Sequence, residues 1–280
     1  MEDILRQFSE NVDPVFFPRP QRERPAIAVG NRHPEVSLPA AFEAFDSILK
    51  STGVNLASTV QLSATREMTT EARLRSRTGE NPVEAGHTRV SIERLYQAGV
   101  RAAVRAGWRH GYTAEADHFI ITGSTDAEIA ASIEVTEEAI RAAAGYTKFT
   151  TDTSRLFRLE ADPRHPRAWT DAEIEREFAS SLTPEEQVWA LSEFSRPFII
   201  DCRTYAFAAP EIRRLAVKFG RSLKLNEQLY DYIRKVKAAG SPSADFDFEP
   251  SIDEAETLTT PAELIFYMHW LAARGRPAQL

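Results

Sequence analysis

At 280 residues, with 42% hydrophobic and 27% charged residues, the chain is long enough for one large domain or two small ones and too apolar for wholesale disorder. Its 34 Lys and Arg stand against 41 Asp and Glu, and the net charge of -7 argues against general affinity for nucleic acid and toward a small-molecule partner. Cys202 is the single cysteine, which excludes an internal disulfide and a Cys-cluster zinc site; with no apolar h-region in MEDILRQFSE, the expected setting is cytoplasmic.

Along the chain, PAIAVG at 25–30 and VNLASTVQL at 54–62 read as strands. Residues 91–109 place Ile92, Leu95, Gly99, Ala102, Ala103 and Ala106 at helical spacing, with Arg101, Arg105 and Arg109 on a wet face. ADHFIIT at 116–122 is apolar enough for a buried strand. Gly123 and the capping box Thr125-x-x-Glu128 then open a helix that carries Ile129, Ile133 and Ile140 and ends at Gly145. YTKFTT at 146–151 is a further strand stopping at Asp152, so strand, helix and strand succeed one another as in a βαβ unit with parallel strands.

Residues 153–240 read as largely helical, with capping boxes at Thr170-x-x-Glu173 and Thr183-x-x-Glu186. RPFIIDCR at 196–203 fits either a strand or a buried helical turn. AAGSPSA at 238–244 is loop, and ADFDFEPSID is a strand that Pro250 should stop. The capping box at Thr260-x-x-Glu263 starts a last helix bearing Leu264, Ile265, Met268 and Leu271. The apolar run LIFYMHWLAA is too short to span a bilayer, so no membrane partner is expected. The whole is an α/β chain, read as one domain over 1–280 with a helical excursion over about 153–240.

Three of these strands end in groups able to bind metal or move protons: Asp117-His118, Asp152, and Glu249 with Asp253 and Glu254 nearby. In parallel α/β folds the carboxyl ends of strands share one face, and imidazole with carboxylate suits a divalent ion. Each signal has a plainer alternative. Asp117 can cap the following loop and His118 can be a core histidine. Asp152 in DTS can make an Asx turn, and Glu249, Asp253, Glu254 and Glu256 can be a solvated acidic loop. Arg66, Arg73, Arg75 and Arg77 can clamp an anionic substrate or lie in a solvated loop. His33, His87, His110 and His165 form no ligand spacing. Without G-x-G-x-x-G, G-x-x-x-x-G-K-[ST] or G-x-S-x-G, dinucleotide, P-loop and serine-hydrolase sites have no support.

Together, AGWRHGYTAEADHFIITG at 106–123, AAGYTKFTTDTS at 143–154 and FDFEPSIDEAETLTTPAELIFYMHWLAARG at 246–275 resemble the tagaturonate epimerases, which interconvert tagaturonate and fructuronate. The resemblance implies a metal-dependent epimerase of a 2-keto hexuronate on a barrel-like (TIM-like), parallel-sheet α/β scaffold. It implies His118 as a metal ligand for a divalent cation, Asp117 and Glu249 as acid/base groups, and Asp152 in the site. C4 of such a sugar lies β to the ketone, so its hydrogen is not acidified. Retro-aldol cleavage and re-addition, with carboxylates shuttling the hydroxyl proton and a divalent ion stabilising the enolate, fits that chemistry.

The sequence departs from the family's pattern in having Phe119 where a lysine is common and Leu264 where a histidine is. It also lacks the family's C-terminal portion, so the expected scaffold is an incomplete barrel, prone to self-association or to pairing with a complementary C-terminal polypeptide. The alternative reading is a homologue without catalysis, serving as a binding protein or as half of a split enzyme.

Overall fold

The computed structural model describes residues 11–22, 24–31, 33–54, 56–63, 69–75, 90–240, 243–252 and 257–279. In chain order the elements are β1 (Ala26–Gly30), α1 (Pro34–Thr52), β2 (Ala57–Ser63), α2 (Glu71–Arg75), α3 (Ile92–Ala106), β3 (Thr113–Ile120), α4 (Asp126–Ala142) and β4 (Lys148–Asp152). They continue with α5 (Asp171–Ser181), α6 (Pro184–Phe194), β5 (Phe198–Ile200), β6 (Arg203–Tyr205), α7 (Ala209–Gly240), β7 (Asp247–Ser251) and α8 (Pro261–Ala273). They divide into two compact units. Unit 1 is Met1–Thr151 with Asp231–Pro250 and Gln279–Leu280, and unit 2 is Asp152–Tyr230 with Ser251–Ala278.

Unit 1 is built on a five-stranded sheet of order β1-β2-β3-β4-β7, in which β1/β2 and β2/β3 are parallel, with Thr59 opposite Thr113. β1 to β4 lie side by side in chain order, and the parallel neighbours β1/β2 and β2/β3 are joined by helix-bearing crossover connections. No sheet closes on itself among the described residues: the strands form an open array, and the barrel-like scaffold that the family resemblance implied, expected here as incomplete, is not formed among them. β7 stands at one edge of that order and includes Pro250, which does not stop the strand as expected. Proline is tolerated there because an edge strand has backbone positions that owe no ladder hydrogen bond.

The helices of unit 1 follow local signals. α3 starts at the N-cap Ser91, whose hydroxyl accepts from the Arg94 amide, and it ends at Gly107 with φ +64, short of the expected residue 109. The left-handed conformation of Gly107 terminates the helix; Arg101 and Arg105 are exposed on it, and Arg109, beyond its end, is exposed as well. α4 carries the expected capping box, and the preceding Gly123 has φ +141; a Cβ there would lie 2.7 Å from the Ile129 nitrogen. α1 is an element the sequence patterns did not single out. Its N-cap His33 makes no side-chain cap and Pro39 lies inside it, yet Leu38, Ala41, Phe42 and Phe45 bury one face. Phe42 meets Tyr112 edge-on at 5.1 Å, and Phe45 packs with Trp108 at 6.1 Å. Each such ring contributes about 2 kcal/mol of transfer free energy, enough to outweigh poor local propensity.

Unit 2 is helical apart from a two-stranded ribbon. α5, α6 and α8 begin at Thr170, Thr183 and Thr260, each with both halves of its capping box formed. RPFIIDCR becomes the β5–β6 antiparallel hairpin, turned by Asp201 (φ +47) and Cys202 (φ +62). Two successive left-handed residues match the right-handed strand twist. On α8 the buried side is Ile265, Phe266, Tyr267, Trp270 and Leu271, whereas Leu264 is exposed. Phe194 stacks on Phe266 at 4.2 Å and Trp189 meets Trp270 edge-on at 4.7 Å in the core. Among the described residues no helix is long and apolar enough to cross a membrane.

Candidate functional site

On β3, strand alternation puts Glu115 and Asp117 on one face of the sheet, and β4 and β7 present Lys148, Thr150 and Glu249 to the same array. The Lys148 ammonium bridges two carboxylates, lying 2.5 Å from Glu249 Oε2 and 3.0 Å from Glu115 Oε1. The Thr150 hydroxyl donates to Glu115 Oε1 at 2.9 Å. Glu115 is 1% exposed, and its Oε2 is buried with no hydrogen-bond partner among the described residues. Burial pushes its carboxyl up to about 7; Lys148 opposes the rise and Glu249 adds to it. Lys148 is held above its ordinary value: burial favours loss of its proton, and the two carboxylates more than offset that. At the amino end of β7, Asp247 is fully buried and accepts from the Gln21 and Arg22 amides, which ties the strand to that segment.

At the carboxyl end of β3, Asp117 and His118 are half-buried, with His118 Nε2 3.5 Å from Asp117 Oδ1. His118 has φ +47, a left-handed conformation uncommon outside glycine. The break in alternation has a consequence: Phe119 stacks with Phe149 at 6.0 Å, on the face opposite the one Lys148 occupies. Strain of this kind costs about 1–3 kcal/mol and persists where the surroundings hold it.

Of the four residues singled out from sequence, Glu249 is tied into the Lys148 array, and Asp117 and His118 pair with each other. Asp152 ends β4 and opens unit 2. Its Oδ1 accepts from the Ser154 amide at 3.1 Å and hydroxyl at 2.6 Å, the Asx turn that DTS allowed. The chain also places Glu115 and Lys148 in the site, two residues that sequence reasoning passed over. Their signal was a charged residue inside each of two strand-forming runs, which requires a partner once the strand is buried.

The arginine candidates among the described residues, Arg73 and Arg75, are engaged in ion pairs. Arg73 grips Glu138 through Nε and Nη2 at 2.8–3.0 Å, and Arg75 pairs with Glu71 at 3.3 Å. Arg66, Arg77, His87, Asp253, Glu254 and Glu256 lie outside the described residues. His165 accepts from the Arg167 amide, and His110 packs on Trp108. Among the described residues no three His, Cys, Asp or Glu side chains converge as a metal site would need.

The family model for tagaturonate epimerase matches residues 82–278. Curated proteins give no match. Among solved structures, the two-glycerol complex of fructuronate-tagaturonate epimerase UxaE from Cohnella laeviribosi is similar at a TM-score of 0.64 and 18% identity, covering 98% of this chain and 46% of that one. The native crystal structure of the same enzyme gives 0.60 and 16%, with 98% and 46% coverage. The chain thus spans slightly under half the length of the solved relatives it matches, and at this identity the likeness is one of fold.

Proposed function

The chain belongs to the tagaturonate epimerase family, and from that premise we propose that it takes part in epimerising a 2-keto hexuronate at C4, between tagaturonate and fructuronate. The observation that carries the reading is the charged array of Glu115, Lys148 and Glu249, with Asp117 on the same strand, all inside the span that the family model covers. Partly exposed and held by a cation, Glu249 is suited to take the C4 hydroxyl proton as the C3–C4 bond breaks and to return it when the bond re-forms on the other face of the aldehyde. Asp117 is the second carboxylate for that exchange. In this reading the open sheet is part of a barrel-like, TIM-like scaffold.

Divalent-metal dependence belongs to the same proposal, but the described residues do not complete a site for the ion. His118 and Asp117 offer one imidazole and one carboxylate, fewer than the three protein ligands usual at a catalytic metal. No step is routed through it.

The test is incubation of the purified chain with tagaturonate in D2O, followed by proton NMR, with and without chelator. Retro-aldol chemistry predicts fructuronate that keeps its hydrogen at C4, and conversion that stops on chelation and returns with a divalent cation. Deuterium at C4 would overturn the retro-aldol route, and turnover indifferent to exhaustive chelation would overturn the metal. No conversion under any of these conditions would favour a binding protein without catalysis; conversion only on adding a complementary polypeptide would favour a split enzyme.

A further inference from the structure

We propose that Gln279 is a positioning residue for Glu249: by closing both main-chain groups of Phe248 it fixes the outer side of β7, and with it the strand position from which Glu249 meets Lys148.

Strand geometry decides which groups face outward. Asp247 donates its amide to the Thr147 carbonyl at 2.8 Å, beside the start of β4. Main-chain groups of successive strand residues point to opposite sides, so those of Asp247 and Glu249 face β4 and those of Phe248 and Pro250 face the outer side. Pro250 has no N–H, which leaves Phe248 as the one outward donor between Asp247 and Ser251. Gln279 takes both groups of Phe248. Its main-chain amide donates to the Phe248 carbonyl at 3.0 Å, and its side-chain Oε1 accepts from the Phe248 amide at 2.8 Å. One residue thereby does what a neighbouring strand would do, and Phe248, Glu249 and Gln279 all belong to unit 1. Phe248 is fully buried, where a main-chain N–H or C=O deprived of its partner is costly. Edge strands are also the part of a sheet that opens most readily. Opening of β7 would carry Glu249 Oε2 away from the Lys148 ammonium, now 2.5 Å from it. Asp247 anchors the amino end of the strand through the Gln21 and Arg22 amides, and the Gln279 clip is the tie adjacent to Glu249 on the outer side.

This inference deepens the epimerase reading, and its effect on turnover rests on that reading, whereas the clip itself is measurable without substrate. The full chain is compared with Gln279→Leu, which removes the acceptor at similar volume, and with Gln279→Glu, which keeps an acceptor oxygen at the same reach. By NMR near neutral pH, exchange of the Phe248 amide should quicken by about five- to tenfold in Gln279→Leu and stay close to the wild-type rate in Gln279→Glu. The carboxyl 13C resonance of Glu249, assigned by its loss in Glu249→Gln, should move in Gln279→Leu and return in Gln279→Glu. Unchanged Phe248 exchange in Gln279→Leu overturns the clip, and an unmoved Glu249 resonance overturns the positioning role. Thermal unfolding identifies any variant that fails to fold; Gln279→Asn, whose acceptor is one methylene short of Phe248, then carries the decision. In the activity arm, kcat per folded molecule should fall by about fivefold in Gln279→Leu with KM nearly unchanged, recover in Gln279→Glu, and fall no further when Gln279→Leu is added to Glu249→Gln. Additive losses in that double variant overturn action through Glu249. A clip and a moved Glu249 resonance without any tagaturonate turnover uphold the positioning and overturn the epimerase reading instead.

Discussion

Unit 1 sets the carboxylates of Glu115 and Glu249 against one ammonium, Lys148, whereas in unit 2 Asp162 and Glu263 face two cations, Lys218 and Arg164. Lys218 lies 2.8 Å from Asp162 and 2.5 Å from Glu263, and Arg164 reaches both acids at 2.6 and 3.2 Å. Burial and cation count together decide the outcome. Hydrogen bonds from Arg164, helped by Lys218, hold Asp162 far below the usual carboxylate range against the cost of burial. Burial pushes Glu263 up, but Lys218 and the Thr260 amide leave it net lowered. Glu115, with half the cationic support, goes the other way. Similar residues therefore form a permanently charged clamp in one unit and a group that can change its charge near neutral pH in the other.

Removing each lysine should break the likeness most visibly. Lys218→Met leaves two buried carboxylates with Arg164 alone and should cost about 3–5 kcal/mol, while Lys148→Met should cost about 1–2 kcal/mol because Glu115 can take a proton instead. Urea unfolding at pH 7 checks this, and an equal or larger loss for Lys148→Met would remove the distinction.

The pH dependence sharpens it. A carboxyl raised from about 4.5 to about 7 binds more protons folded than unfolded between those values, so its contribution to stability is present below pH 4.5 and lost as pH rises to 7. The loss is about 3 kcal/mol. Glu115→Gln should abolish it, making the variant the more stable protein at pH 8. The lowered Asp162 and Glu263 have the opposite sign: their contribution is present above the ordinary carboxylate range and is lost on acidification below it. Stability measured by unfolding at pH 5 and pH 8 should show the Glu115→Gln advantage at pH 8 alone.

Smaller effects lie beyond the two clusters. In unit 2, Tyr267 accepts from Asn226 at 2.6 Å and pairs with Ser222 at 2.7 Å, in a buried network that Thr153 completes. Tyr267→Phe should cost about 1–2 kcal/mol in thermal or urea unfolding, since it leaves buried polar groups short of a partner. Arg73→Ala, which removes an exposed pair with Glu138, should change stability by about 0.5 kcal/mol or less.

What the sequence made legible was local. The capping boxes at Thr125, Thr170, Thr183 and Thr260 are all formed because each is complete within four residues. The Asx turn at Asp152 was legible for the same reason. The Glu115–Lys148–Glu249 array was not: its members are 33 and 101 positions apart, and charged residues in GYTAEADH and YTKFTT gave β3 a late expected start and hid Lys148. Pairing across strands has no short-range signature. Pro250 misled because sequence alone does not say that β7 is an edge strand, and α1 escaped because packing around Phe42 overrides its weak cap and internal proline.

In the proposed function the unit 1 array serves chemistry, whereas the unit 2 clamp serves stability. Tagaturonate turnover, normalised to folded protein, in wild type, Glu249→Gln and Lys218→Met tests it most directly. Glu249→Gln should lower kcat by about 10²-fold with its unfolding midpoint kept, and Lys218→Met should lower the midpoint while turnover per folded molecule persists. Wild-type turnover in Glu249→Gln would contradict it.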